Sequence, residues 1–319
     1  MTLNCGTVLS TPNSSYTLTG STICGANAPF GIEITANNVA LNCAGFGVLD
    51  PPFSAAGTGV IVGPGVRGVS VAHCLVKGFS DGISVSSSIS VSLKYVNVYP
   101  DPHSLNVGVS FISTNESSVS HVNVYQFSTG FQVSGACNDT TFSHDFTTAD
   151  LNDGFLLKAI TGVAFFDDDK ATANGADGFE LNNVSGIPVT ESVANSNLGD
   201  GFYVTGGAGN ALVGDTAVAN HANGFHLDST TLDTLNADIS NSNHASGYFL
   251  DATVAATALN GNTARHNAAY GFDDTSTGAA GAPTYGTANL YLALDCYGHN
   301  TIGGTGGFIA GAPPQPGCF

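Results

Sequence analysis

Tyr203, His226 and Asp228 bring together a phenol, an imidazole and a carboxylate, and the first two each directly follow a Gly-Phe pair. A phenol and an imidazole are sufficient for general acid–base work, in which one group removes a proton and the other supplies one. Removing a proton from carbon beside a carboxylate needs a third element, a positive charge that neutralises the carboxylate. Lys158 could provide it, or a calcium ion held by Asp228 and Asp251. Tyr203 and Phe249 offer flat rings for stacking, and Glu180 adds a polar contact. Tyr203 and His226 can act as acid and base in either order.

The Gly-Phe pair belongs to a repeat that must position these groups. Glycine followed by an apolar residue recurs at Gly31, Gly59, Gly82, Gly108, Gly130 and Gly154. It continues at Gly178, Gly201, Gly224, Gly247 and Gly271, with intervals of 22 to 28 residues. Eleven units at a nearly fixed period predict a solenoid. Stripes at helical spacing are absent. Each unit instead holds short alternating stretches of Val, Ile, Phe and Thr between Asn, Gly, Ser and Asp, which read as three strands and three turns. The expected fold is all-β: a single-domain right-handed parallel β-helix of about eleven coils with disulfide-closed ends. Residues 1–30 are expected to cap the start, 31–274 to form the coils, and 275–319 to close the end. The two longer intervals place insertions at 50–59 and 99–106. Asn174, Asn197, Asn220, Asn243 and Asn267 stand four residues before their glycines, as expected of a stacked amide ladder. The glycine is expected to adopt a backbone angle that other residues avoid.

In the phrase Gly-Phe-x-Leu-x the Phe and Leu point inward, so the two x positions point out. One outward column is Glu180, Tyr203, His226, Phe249 and Asp273, and the next carries Lys158, Asn182, Thr205, Asp228 and Asp251. A rival site centres on the second insertion, where Asp101 and His103 would hang near Tyr99 and His121. His73, Tyr99, His121, Asp145 and Asp169 each stand nine residues before a coil glycine, and with Asp167 the acids of this column read as an acidic ridge, either merely solvated or calcium-loading.

Charged residues make up 9% of the chain, and six Lys and Arg against 24 Asp and Glu give a net charge of −18. That balance repels nucleic acid and anionic membranes overall, though a local site can still take an anion. No apolar run reaches the roughly 18 to 20 residues of a spanning helix. Among seven cysteines, Cys5 with Cys24 and Cys296 with Cys318 bracket the two ends, Cys43 and Cys74 form a candidate third pair, and Cys137 is left free or intermolecular. Such pairs suit an oxidising compartment, so a secreted, extracellular or periplasmic location is expected. A secreted protein is expected to carry a signal segment. None opens this chain, and Met1 reads as an added residue before a trimmed chain.

The segments "CGTVLSTPNSSYTLTGSTIC", "NNVALNCAGFGV", "VRGVSVAHCLVKGFSDGISV" and "CYGHNTIGGTGG…PPQPGC" resemble right-handed β-helix proteins of the NosD or pectate-lyase-like superfamily. The resemblance covers nearly the whole chain and implies the fold; its members include lyases, hydrolases, epimerases and non-enzymatic surface proteins. In members that act on polysaccharides the groove runs along such a sheet face. Asp101-Pro102-His103 also resembles the catalytic tripeptide of mannuronan C5-epimerases, which place it directly after the Gly-Phe pair rather than in an insertion before Gly108. The leading expectation is a surface or structural β-helix that binds a polysaccharide or cell-surface glycan, with self-assembly as a further partner mode. The alternative is a lyase or epimerase acting on an acidic polysaccharide, with a glycoside hydrolase behind it. Calcium is the one candidate cofactor.

Overall fold

A computed structural model describes residues 1–275 except 26–27, 52–56, 104 and 161, and beyond them only the backbone of four short strands. Every strand pairing it describes is parallel, and no helix occurs among the described residues. No helix among them is therefore long and apolar enough to cross a membrane. The described chain divides into two compact units, Met1–Leu156 with Ile160–Ala164, and Leu157–Ala159 with Phe165–Phe319.

In the first unit each coil contributes one strand to a first sheet, as in Phe30–Ile34, Thr58–Val62, Asp81–Ser86 and Val107–Ile112. Two further strands per coil follow, and in Ser92–Pro100 and Ser118–Tyr125 they run together as one bent strand. Residues 1–30 already contain three short strands, each paired with the coil above. Cys5–Cys24 and Cys43–Cys74 are bonded as expected. Cys137 is free and fully buried, which settles it as an interior thiol rather than an intermolecular link. Cys296 and Cys318 lie outside the residues whose side chains are described, as do residues 52–56 of the first insertion.

The second unit repeats the plan at nearly constant length. Phe179–Ser185, Phe202–Ala208, Phe225–Asp228 and Tyr248–Leu250 stack in the first sheet with Phe202 beside Phe225 and Phe225 beside Tyr248. Their rings form the expected interior stack: Phe179, Phe202, Phe225, Tyr248 and Phe272 follow one another at 4.6 to 4.9 Å with planes within 7°. The Tyr248 hydroxyl, buried with its ring, donates to Asp238 O at 2.8 Å.

The amide ladder is present. The Asn197 N–H and Nδ2 both donate to Asn220 Oδ1 at 3.0 Å, and Asn174, Asn220 and Asn243 repeat the pattern toward the next coil. The glycine column has a different cause from the one expected. None of Gly31, Gly59, Gly82, Gly108, Gly178 or Gly201 has a positive φ. A Cβ at these positions would instead meet the glycine carbonyl oxygen of the next coil at 2.3 to 2.7 Å. Space between coils, not backbone freedom, selects glycine there. Gly201→Ala is expected to cost about 1–3 kcal/mol by overpacking, read as a lower urea midpoint; an unchanged midpoint would show that the coils can part at no cost.

Left-handed backbone occurs at the corners instead, and mostly on residues other than glycine. His73, Tyr95, His121 and His144 have φ of 55 to 57°, as do many small and polar residues at equivalent turns of the second unit. Each such corner turns the chain sharply between two strands and leaves its side chain outside.

The acidic ridge is also corrected. Asp145 and Asp169 are buried, and only Asp167 is exposed. Asp145 accepts the Val122 N–H at 2.8 Å. In the second unit the Asp169 N–H donates to Ser192 Oγ, Ser192 N–H to Asp215, Asp215 N–H to Asp238, and Asp238 N–H to Asn262 Oδ1. Asp145, Asp215 and Asp238 thus cap backbone donors inside the turn, where buried backbone N–H groups would otherwise be orphaned. Exposed Asp167 accepts the Thr190 hydroxyl at 2.7 Å.

Candidate functional site

The outward columns of the second unit fall where alternation puts them. Glu180, Tyr203, His226, Phe249 and Asp273 are direct cross-strand neighbours on the first sheet, and so are Asn182, Thr205 and Asp228. His226 lies between two aromatic rings, 4.8 Å from Tyr203 and 4.9 Å from Phe249 by centroid.

The imidazole is held at one nitrogen. His226 Nδ1 lies 2.7 Å from Asp200 Oδ2, with the two side chains 20% and 11% exposed. Asp200 is itself fixed: its Oδ1 accepts the Asn223 N–H at 2.6 Å and the Asn223 amide at 3.0 Å, and its own N–H donates to Asp177 Oδ1. With Nδ1–H donating to the carboxylate, Nε2 carries the lone pair and is the nitrogen free for proton transfer.

Tyr203 is held separately. Its hydroxyl donates to Asp228 Oδ2 at 3.2 Å, and Asp228 Oδ1 accepts the Ser229 hydroxyl at 2.8 Å. Burial raises the Tyr203 pKa, and the negative charges of Asp228 and Asp177 raise it further against an opposing bond to Thr205. A phenol so placed keeps its proton at neutral pH. Glu180 accepts the Asn182 amide at 2.8 Å. Burial also raises the Asp273 carboxyl at the column's far end.

The structure therefore brings Tyr203, His226, Phe249 and Asp228 together. It does not bring Lys158 to them. Lys158 is exposed and stands three coils before Asp228 in its column, roughly 14 Å away at strand spacing. Asp251 lies beyond the end of Tyr248–Leu250, where its carbonyl accepts the Val254 N–H in a turn.

Asp200 was missed by sequence reasoning. It occupies the position just before the glycine, which reads Asp177, Asp200, Asn223 and Ser246 in successive coils. A column of side chains flanking the sheet was legible there, but turn residues of this type are expected in any tight corner.

The rival site does not assemble as expected. Asp101 is buried, and its carboxylate accepts the His103 N–H at 2.8 Å, closing a turn within the insertion. His103 is exposed. Tyr99 and His121 stand in different columns: His121 lies tilted against Tyr95 and stacked on His144, and Tyr99 stacks on Tyr125. The 26-residue interval shifts the count, so Tyr95 rather than Tyr99 takes the corner equivalent to His73 and His121.

No protein-family model matches the chain, and no curated protein matches it. Solved structures do match. A mutant of the periplasmic alginate epimerase AlgG aligns with a TM-score of 0.65 at 13% identity, over 91% of this chain and 78% of that one. The A-module of the Azotobacter vinelandii mannuronan C-5 epimerase AlgE6 aligns at 0.64 and 14%, over 97% and 92%. The catalytic unit of a GH87 alpha-1,3-glucanase from Streptomyces thermodiastaticus aligns at 0.61 and 11%, over 91% and 63%. The chain is a right-handed parallel β-helix. At these identities the likeness speaks for the β-helix fold alone, and chemistry has to be argued from the site.

Proposed function

We infer that this β-helix is a secreted carbohydrate-active protein that takes a polysaccharide along the first-sheet face of its second unit, with His226 as base and Tyr203 as acid. The Asp200–His226 contact at 2.7 Å carries this reading. A histidine whose Nδ1 is fixed by a buried carboxylate, and whose ring lies between two aromatic rings on an outward face, is oriented for proton transfer beside a flat ligand. The raised Tyr203 pKa supports the assignment of acid rather than base. The polysaccharide-acting proteins among the structural neighbours support the substrate class. The two N-terminal disulfides support an extracellular or periplasmic location.

Lys158 is too distant to neutralise a carboxylate at His226, and this favours a second reading in which the face binds glycan without turning it over. Calcium bound with the substrate carboxylate at Asp228 is another source of positive charge for a lyase or epimerase. A panel of acidic and neutral polysaccharides, assayed with and without calcium for unsaturated product, reducing ends and epimer content, separates the readings. Expected is turnover that His226→Ala and Asp200→Asn each reduce by roughly 10²–10⁴-fold, with Tyr203→Phe in the same range. Turnover untouched by these changes removes the site assignment. Binding with no turnover on any substrate leaves the glycan-binding reading in its place.

A further inference from the structure

We propose that the first unit carries a separate binding surface for an anionic glycan, built on its left-handed corners and the strands that follow them. It does not rest on the acid–base reading of the other face.

The corner side chains His73, Tyr95, His121 and His144 are all exposed and form a continuous column of rings. Successive centroids are 5.1, 4.8 and 5.0 Å apart, and the first and last pairs are parallel within 3°. Tyr95 is 51% exposed. Their left-handed φ gives the column its position: the backbone turns at each ring, so interior packing does not claim it.

Two residues after Tyr95 and His121, an outward amide pair follows, with Asn123 Nδ2 donating to Asn97 Oδ1 at 2.9 Å, flanked by Leu75 and Phe146 in the adjoining coils. Two residues beyond that, Tyr99 and Tyr125 stack at 4.5 Å and 3°. Lys77 is the cross-strand neighbour of Tyr99, and Lys94 precedes Tyr95. Rings, amides and rings thus alternate across the face, a sequence that suits a chain of sugar rings with hydroxyl groups at their edges.

The column ends at an open depression. One coil before His73 the corner carries Ala44 and Gly45 in place of a ring, and the space left is about 430 Å³, bordered by His73, Tyr95, Asn42 and Asn97.

Charge selects an anionic ligand. Across residues 70–77, 92–100, 118–125 and 141–148 the one carboxylate is Asp145. It is buried, turned to the Val122 N–H, and its pKa is raised by that burial. The outward side of these strands therefore presents Lys77 and Lys94 and no acid, on a protein with 24 acidic and six basic residues. Such a local reversal of sign attracts a carboxylate- or sulfate-bearing polymer that the rest of the surface repels.

Isothermal titration of the full chain with polygalacturonate, dextran sulfate and neutral dextran tests the proposal. Expected is binding of at least one anionic polymer, weakened between about 50 and 300 mM NaCl, with dextran about tenfold weaker or worse. Tyr95→Ala with His121→Ala removes two exposed rings and is expected to lower affinity about tenfold or more with an unchanged melting temperature. Lys77→Ala with Lys94→Ala is expected to flatten the salt dependence. Unchanged affinity in the folded ring variant overturns the proposal. So does dextran binding as tightly as the anionic polymers, or no binding of any of the three.

Discussion

Replacing Asn220 with alanine is expected to destabilise the protein by about 4 kcal/mol or more, because four buried hydrogen bonds lose one partner at once. Asn220 Oδ1 accepts from the Asn197 N–H and amide, and Asn220 Nδ2 donates to Ala194 O and Asn243 Oδ1. Every one of these residues that supplies a side chain is buried, so water cannot readily replace the lost group. Each unsatisfied buried group costs about 1–3 kcal/mol, and the sum is less than additive because the turn can relax. Calorimetric melting at fixed pH reads the effect. A loss below about 1 kcal/mol would show that the ladder is ornament rather than support. Asn220→Asp is a useful companion: it keeps Oδ1 as an acceptor but places a second oxygen where Nδ2 now donates to two acceptors, and it should be no better than alanine at neutral pH.

The second large effect concerns pH. Burial raises the carboxyls of Asp145, Asp215 and Asp233, and pushes Asp150 up to about 7 and Asp238 up to about 8. The unfolded chain releases these protons near pH 4. Between about pH 4 and 8 the folded state therefore holds more protons than the unfolded state, and stability falls as pH rises through that window. Below about pH 4 the contribution of these groups is fully present. Each group has a limiting slope of about 1.4 kcal/mol per pH unit. The expected result is a melting temperature that declines from pH 5 toward pH 9, with Asp238→Asn flattening the decline and raising stability at pH 8 to 9. Asparagine fits this turn, because Asn262 occupies the same column one coil on, accepts the Asp238 N–H at 2.8 Å and donates to Leu235 O at 2.9 Å. A melting temperature that rises over the same pH range, or an Asp238→Asn variant that loses stability at pH 8, would refute the assignment.

The fold was legible because a solenoid states its own register many times. Phe202, Phe225 and Tyr248 repeat the same inward position, and the Asn column repeats the same turn. The site was legible in part for the same reason: alternation alone placed Tyr203, His226 and Phe249 side by side. Where coil length varied, counting failed. The longer coil moved Tyr95 into the corner that counting assigned to Tyr99, and His144 rather than Asp145 takes the corner two coils on, so a ring column was read as a mixed one. Burial at turns was not legible either. Asp215 and Asp238 look like solvated turn residues by type, yet each caps a backbone N–H of the preceding coil from inside. Asp200 escaped notice because its role depends on reaching His226, 26 residues away, from beside the sheet.

The glycine contacts between coils bear on how such a chain can change its length over evolutionary time. In the second unit each coil meets the next through the same atoms, glycine carbonyl against glycine and amide against amide, at a repeat of 23 or 24 residues. Recombination that duplicates or removes one whole repeat returns every bond to an equivalent partner. A change of one residue within a strand turns its inward side chains outward. Inheritance is therefore quantised here: the lineage can lengthen or shorten the protein by whole coils, while smaller insertions survive only at corners, such as residues 99–106.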